Sequence, residues 1–143
     1  MRILGIDSST TSTGYAVLDN DKLISYGTIK TPKKVDLIDK IIYIEEHIKQ
    51  IIKAKKIEFI VIEDLAMTRS AATTKALSGL LYDLLVEFRK REILVVTARP
   101  SEWRKVCGIK GKKRDELKQN AIIGLIIFWI SFIIGFIIGI SLK

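Results

Sequence analysis

Short apolar runs and longer amphipathic stretches alternate along the first part of the chain. Arg2 to Asp7 (RILGID), Gly14 to Asp19 (GYAVLD) and Leu23 to Ile29 (LISYGTI) are brief, rich in aliphatic and aromatic residues, and separated by polar, turn-forming clusters. That pattern predicts three strands in an antiparallel meander. Between Val35 and Lys53 the period changes: Leu37, Ile38, Ile41, Ile44, Ile48, Ile51 and Ile52 recur at spacings of three and four, with Lys40, Glu45, Glu46 and Lys49 among them. This is the signature of an amphipathic helix. Phe59 to Glu63 (FIVIE) is nearly continuous apolar chain ending in a carboxylate, as expected of a strand buried on both faces. A helix over roughly Ser70 to Lys90 and a second buried strand, Ile93 to Thr97 (ILVVT), follow. Pro100 opens a short helix, and Gly108 to Lys113 forms a basic, glycine-containing loop. The order βββαβαβα predicts a mixed five-stranded sheet flanked by helices, with right-handed crossovers and strand one central beside FIVIE.

The pattern then stops. Ala121 to Leu142 contains no charged residue, and as a helix its length would be about 33 Å, close to the ~30 Å hydrocarbon thickness of a bilayer. The chain therefore divides into an α/β domain, residues 1–120, and an apolar tail, residues 121–143, a candidate transmembrane helix. Lys110, Lys112, Lys113, Arg114 and Lys118 precede the tail and would keep the domain cytoplasmic, tethered to the membrane by its C-terminal helix. No signal-peptide pattern opens the chain, which also points to the cytoplasm.

Composition narrows the function classes. Cys107 is the single cysteine and His47 the single histidine of 143 residues, which excludes an intrachain disulfide and a Cys/His zinc site. Lys and Arg number 24 against 16 Asp and Glu, a net charge of +8, which suits a polyanionic partner such as nucleic acid or an acidic membrane. The excess is concentrated between Arg99 and Lys118, where eight basic residues face three acids. Such a segment neutralises backbone phosphates without reading bases, or is simply a solvated face.

Two carboxylates stand out because each ends an apolar strand, where an ionised group needs solvent, a hydrogen bond or a cation. They are Asp7 and Glu63. Placed on neighbouring parallel strands they would converge at one sheet edge, where two negative charges raise a pKa or hold a divalent metal. Each alone is equally a strand-end cap. Ser8 to Gly14, after Asp7, either offers hydroxyl and amide donors to a phosphate or makes an ordinary hairpin turn.

The segments ILGIDSSTTSTGYAVLD, FIVIEDLAMTRSAATTKALSGLL and TARPSEWRKVCGIKGKKRDELKQ, in this order and spacing, resemble the RuvC family of Holliday junction resolvases, particularly the short members carried by phages of low-GC bacteria. The resemblance covers about residues 1 to 120. It implies a ribonuclease H-like fold, a homodimer, and cleavage of four-way DNA junctions in recombination and repair or phage DNA processing. Magnesium is the implied cofactor, with manganese as an alternative. Asp7 matches the first catalytic carboxylate and metal ligand of the family and Glu63 the second. The family takes its remaining catalytic carboxylates from an Asp-rich helix after the last strand, in a motif resembling DEADA. This chain has no acidic residue after Glu116. Asp115 and Glu116 lie before the expected position and read as helix N-terminal acids. The departure implies an impaired site.

The resemblance turns the basic positions Arg104, Lys110, Lys112, Lys113 and Arg114 toward DNA contact. Arg69 and Lys75 flank a small, polar run just after Glu63, beside the expected metal. Met67 falls where family members use an apolar side chain to pry the junction open, and is otherwise core filler. Leu77, Leu80, Leu81, Leu84 and Leu85 form a helical stripe that either covers the sheet or joins a second subunit. His47 reads as structural. Two other readings stand beside the endonuclease: a membrane-tethered module that binds branched nucleic acid without cutting it, and a sugar-kinase or actin-like ATPase, whose phosphate loop GIDSSTTSTG resembles. The last needs two such domains, and this chain has one.

Overall fold

The computed structural model describes residues 1–20, 22–65, 68 and 70–99. Along them run β1 (Arg2–Asp7), β2 (Ser12–Asp19), β3 (Lys22–Lys30), α1 (Leu37–Lys55), β4 (Phe59–Glu63), α2 (Ala71–Lys90) and β5 (Leu94–Ala98). The strands form one sheet in the order β3-β2-β1-β4-β5. β1, β2 and β3 pair antiparallel, whereas β1 with β4 and β4 with β5 pair parallel. The expected mixed sheet is therefore present, with β1 at its centre beside β4.

Element boundaries depart from the hydrophobic pattern where backbone chemistry decides them. β2 begins at Ser12 because Ser12 and Thr13 pair with Lys30 and Ile29, and main-chain pairing needs no apolar side chain. α1 starts at Leu37 because Asp36 is extended and its carboxylate accepts the Asp39 amide at 2.9 Å, an N-cap. It ends where Lys56 turns left-handed (φ 52°) and returns its amide to the Ile52 carbonyl.

Both helices lie on one face of the sheet. Leu4, Ile6, Ile60 and Ile62 alternate onto that face and form one buried cluster with Ile41, Ile44, Ile48 and Ile52 of α1 and with Leu80, Leu81, Leu84 and Phe88 of α2. Fully burying such a side chain is worth about 1.5–3 kcal/mol. Leu80, Leu81 and Leu84 thus cover the sheet, while Leu77 and Leu85 are half-buried. On the opposite face Ile3, Ala16, Leu18, Phe59 and Val61 are buried too, so FIVIE is enclosed on both sides as its composition requires.

A charged clasp crosses the two helices. The Lys49 ammonium lies 3.0 Å from Glu45 and Glu46 and 4.0 Å from Glu87 of α2, and Arg91 holds Glu87 at 2.6 Å. Hydrogen bonds to Glu45 and Glu46 raise the Lys49 pKa above its ordinary value. Asp83 beside them has a buried Oδ2 with no hydrogen-bond partner among the described residues; burial, then repulsion from Glu45, pushes its carboxyl upward.

The short helix expected at Pro100, the basic loop and the apolar C-terminal helix all lie outside the described residues. Among the described residues no helix is long and apolar enough to cross a membrane.

Candidate active site

The strand register brings the two expected acids to the same level. β1 and β4 run parallel with Ile6 opposite Ile62, and Asp7 and Glu63 are the next residue on each strand. Adjacent strands lie about 4.8 Å apart. Side chains alternate along a strand, so both acids fall on the face opposite the helices, in line with Ile3 and Gly5 on β1 and with Phe59 and Val61 on β4. Both are half-buried. Asp7 is opposite Gly14 of β2, and Glu63 is opposite Ala98 of β5. The chain leaving Glu63 is fixed at once: the Asp64 amide donates to the Ala98 carbonyl at 2.8 Å, and the Leu65 amide to the Asp64 carboxylate at 2.8 Å.

The turn after Asp7 is held by its own hydroxyls. Thr13, fully buried, donates its hydroxyl to the Ser9 carbonyl at 2.6 Å and accepts the Ser9 amide at 3.2 Å. The Ser9 hydroxyl accepts the Thr11 and Ser12 amides at 3.4 and 3.3 Å, and Thr31 ties the turn to β3 by donating to the Thr10 carbonyl at 2.9 Å. These bonds are those of a knitted hairpin turn. The Ser8 hydroxyl, next to Asp7, is buried and has no hydrogen-bond partner among the described residues. Nothing in the run SSTTST distinguishes Thr13 from its neighbours, so its anchoring role was not legible in the sequence; only its register opposite Ile29 buries it.

Beyond β4, a second hydroxyl cluster opens α2. Ser70 caps the helix by accepting the Thr73 amide at 3.2 Å, and Thr68 and Thr74 both donate to the Ser70 carbonyl, at 2.8 and 3.1 Å. Lys75 is exposed one turn into this helix. Of the other expected nucleic-acid contacts, Met67, Arg69, Arg104, Lys110, Lys112, Lys113 and Arg114 lie outside the described residues.

Two carboxylates side by side are hard oxygen donors, and magnesium is commonly held by one or two carboxylates with waters and substrate phosphate filling its octahedron. Asp7 and Glu63 fit that requirement. Among the described residues there is no group of three or more acids, histidines or cysteines suited to a metal.

A five-stranded sheet of this order, with an antiparallel meander leading into parallel crossovers and two acids at neighbouring strand ends, defines the ribonuclease H-like resolvase fold. The solved structure of T. thermophilus RuvC in complex with Holliday junction substrate superimposes with a TM-score of 0.72 at 15% identity, covering 87% of this chain and 89% of that one. The chain belongs to the RuvC family: the family model described as crossover junction endodeoxyribonuclease RuvC matches residues 3–128. A Fusobacterium nucleatum relative of that name is 28% identical over 123 residues, 83% of this chain and 64% of the relative. One from Thermomicrobium roseum, also named crossover junction endodeoxyribonuclease RuvC, is 22% identical over 125 residues, 85% of this chain and 77% of the relative. The chain thus spans less than two-thirds of the Fusobacterium protein.

Proposed function

We propose that the chain is a structure-selective DNA endonuclease that cleaves four-way junctions as a homodimer, in recombination, repair or phage DNA processing. The observation that carries this reading is the placement of Asp7 and Glu63 at the same level of adjacent parallel strands within the RuvC family fold. The two carboxylates would hold magnesium, or manganese in its place. Bound there, it would supply Lewis-acid chemistry to the scissile phosphate and to the attacking water. The protein's own part is to present two fixed negative oxygens to the cation and to hold the strand against them. Lys75, Arg69 and the basic positions Arg104, Lys110, Lys112, Lys113 and Arg114 would neutralise backbone phosphates, and Met67 would wedge the junction. A homodimer supplies one such site to each of two symmetric strands.

The reaction is expected to be slow, because residues 117–143, where the family's Asp-rich helix would fall, carry no acid. Removing one charge-stabilising group from a catalytic site costs about a hundred- to a thousandfold in rate. The domain works in the cytoplasm, with the uncharged stretch 121–142 offering contact to the membrane. The test is a labelled four-way junction beside a linear duplex of the same sequence. Tighter, salt-sensitive binding of the junction and its magnesium-dependent nicking are expected. Equal binding of both substrates overturns the structure selectivity, and tight binding without nicking replaces the endonuclease by the non-catalytic binder.

A further inference from the structure

On the sheet face that carries Asp7 and Glu63, β3 differs from its neighbours. Ile3, Ala16, Leu18, Phe59 and Val61 are buried on that face, whereas Tyr26, Thr28 and Lys30 of β3 are exposed, Tyr26 by 63%. The strand alternates: Ser25, Gly27 and Ile29 turn toward the helices and are half-buried or buried, and the three exposed residues lie between and after them on the acid side. Cross-strand pairing fixes their level. Tyr26 is opposite Ala16, Thr28 opposite Gly14 and Lys30 opposite Ser12, and Gly14 is in turn opposite Asp7. Thr28 is therefore level with Asp7 two strands away, at about 10 Å, and Lys30 is about 12 Å from Asp7.

Lys30 is held at that place. Its neighbour Thr31 donates its amide to the Thr11 carbonyl at 3.2 Å and its hydroxyl to the Thr10 carbonyl at 2.9 Å, which ties the end of β3 to the turn leaving Asp7. Lys30 makes no ion pair among the described residues, and neither do Lys33 and Lys34, exposed just beyond it. The nucleic-acid contacts expected from the sequence, Met67 to Arg114, all follow β4 in the chain. A DNA strand seated on two acids at the centre of the sheet also has to leave the site on the β2–β3 side.

We propose that Tyr26, Thr28 and Lys30 form a track for the DNA backbone on the hairpin side of the carboxylates. Each of the three side chains ends in a hydrogen-bond donor, the kind of group that meets phosphate oxygens and positions DNA without reading bases. Lys30 neutralises one phosphate, and the two hydroxyls donate to its neighbours. From Tyr26 to Lys30 the track is about 14 Å long, the rise of about four nucleotides of one strand. It rests on the junction-nuclease reading and adds a second side of contact to that site.

The full chain is titrated onto a labelled four-way junction in EDTA over a range of salt, beside Lys30→Gln, Lys30→Arg, Tyr26→Phe and Lys22→Gln. Lys22 begins β3 about 27 Å from Lys30, so its variant makes the same change of charge away from the track. Lys30→Gln should lower the slope of log K against log salt by about 0.9, while Lys30→Arg and Lys22→Gln keep the parent's slope. Tyr26→Phe should bind about two- to tenfold more weakly at an unchanged slope, because a neutral donor releases no counterion. An unchanged slope for Lys30→Gln, an equal fall for Lys22→Gln, or parental affinity for Tyr26→Phe overturns the proposal. So does a changed sedimenting mass in either track variant, which would make the β3 edge a seam between protein chains. The readout needs neither metal nor cleavage. A parent that binds with these slopes but never nicks the junction in magnesium sinks the nuclease and keeps the track; a parent that nicks, with Lys30→Gln binding as it does, sinks the track alone. A parent that does not bind the junction overturns both.

Discussion

Thr13 is the hinge between the fold and the carboxylate edge, and its hydroxyl can be removed almost without changing its shape. Thr13→Val deletes the 2.6 Å bond to the Ser9 carbonyl and the 3.2 Å bond from the Ser9 amide while leaving the buried volume filled. Each intramolecular hydrogen bond contributes about 0.5–1.5 kcal/mol, and a buried group left without a partner costs about 1–3 kcal/mol. The substitution should therefore destabilise by about 2 kcal/mol, roughly a thirtyfold change in the folded-to-unfolded ratio. Thr13→Ser keeps both bonds and gives up one buried methyl, a loss of about 1 kcal/mol. Urea unfolding at unchanged m-value measures both. Valine must cost more than serine, and the valine chain should also cleave more slowly because the turn leaving Asp7 is loosened. A serine variant less stable than the valine variant, or a neutral valine variant, would refute the hydrogen-bonded anchor and leave packing as Thr13's contribution.

Lys56 caps α1 at φ 52°, a region costly for a side chain, so Lys56→Gly should stabilise the chain by about 1 kcal/mol, read as a higher urea midpoint. The Asp83 carboxyl is raised on folding, so its stabilising contribution is present below the ordinary carboxylate range and is lost as pH rises through the folded value. Asp83→Asn should then be more stable than the parent at neutral pH, with the gap closing in acid; a gap independent of pH contradicts the burial argument. Lys112→Ala/Lys113→Ala should weaken junction binding and lower the slope of log K against log salt by about 2, because each phosphate contact contributes about 0.9. An unchanged slope would show that neither lysine meets the backbone.

The sheet was legible because its signals were redundant. FIVIE is short, continuous and buried on both faces, and the meander before it offers few alternative pairings, so β1 falls beside β4 from the pattern alone. Asp7 and Glu63 were legible for the same reason: each ends a strand whose neighbour was already fixed. Less visible were contacts made by polar groups of similar kind. Thr13 sits in a run of six serines and threonines, and only cross-strand register buries it rather than Thr10 or Thr11. His47 read as one polar position on an amphipathic helix, yet it lines a cleft with residues of β2 and β3, a proximity that no spacing within α1 encodes. Leu80, Leu81 and Leu84 carried a genuine ambiguity, since an apolar stripe does not reveal whether its partner is the sheet or another subunit; burial in the shared cluster resolves it.

Single-turnover cleavage of a labelled four-way junction in magnesium, by the chain and by its Asp7→Asn, Glu63→Gln and doubly substituted variants, tests the central claim most directly. Two carboxylates acting as one site should fail together: slow junction-selective nicking by the parent, none by either single variant, and no further loss in the double variant. Cleavage by Asp7→Asn at the parent's rate would contradict the account, because the paired acids at the ends of β1 and β4 would then not be the reacting site.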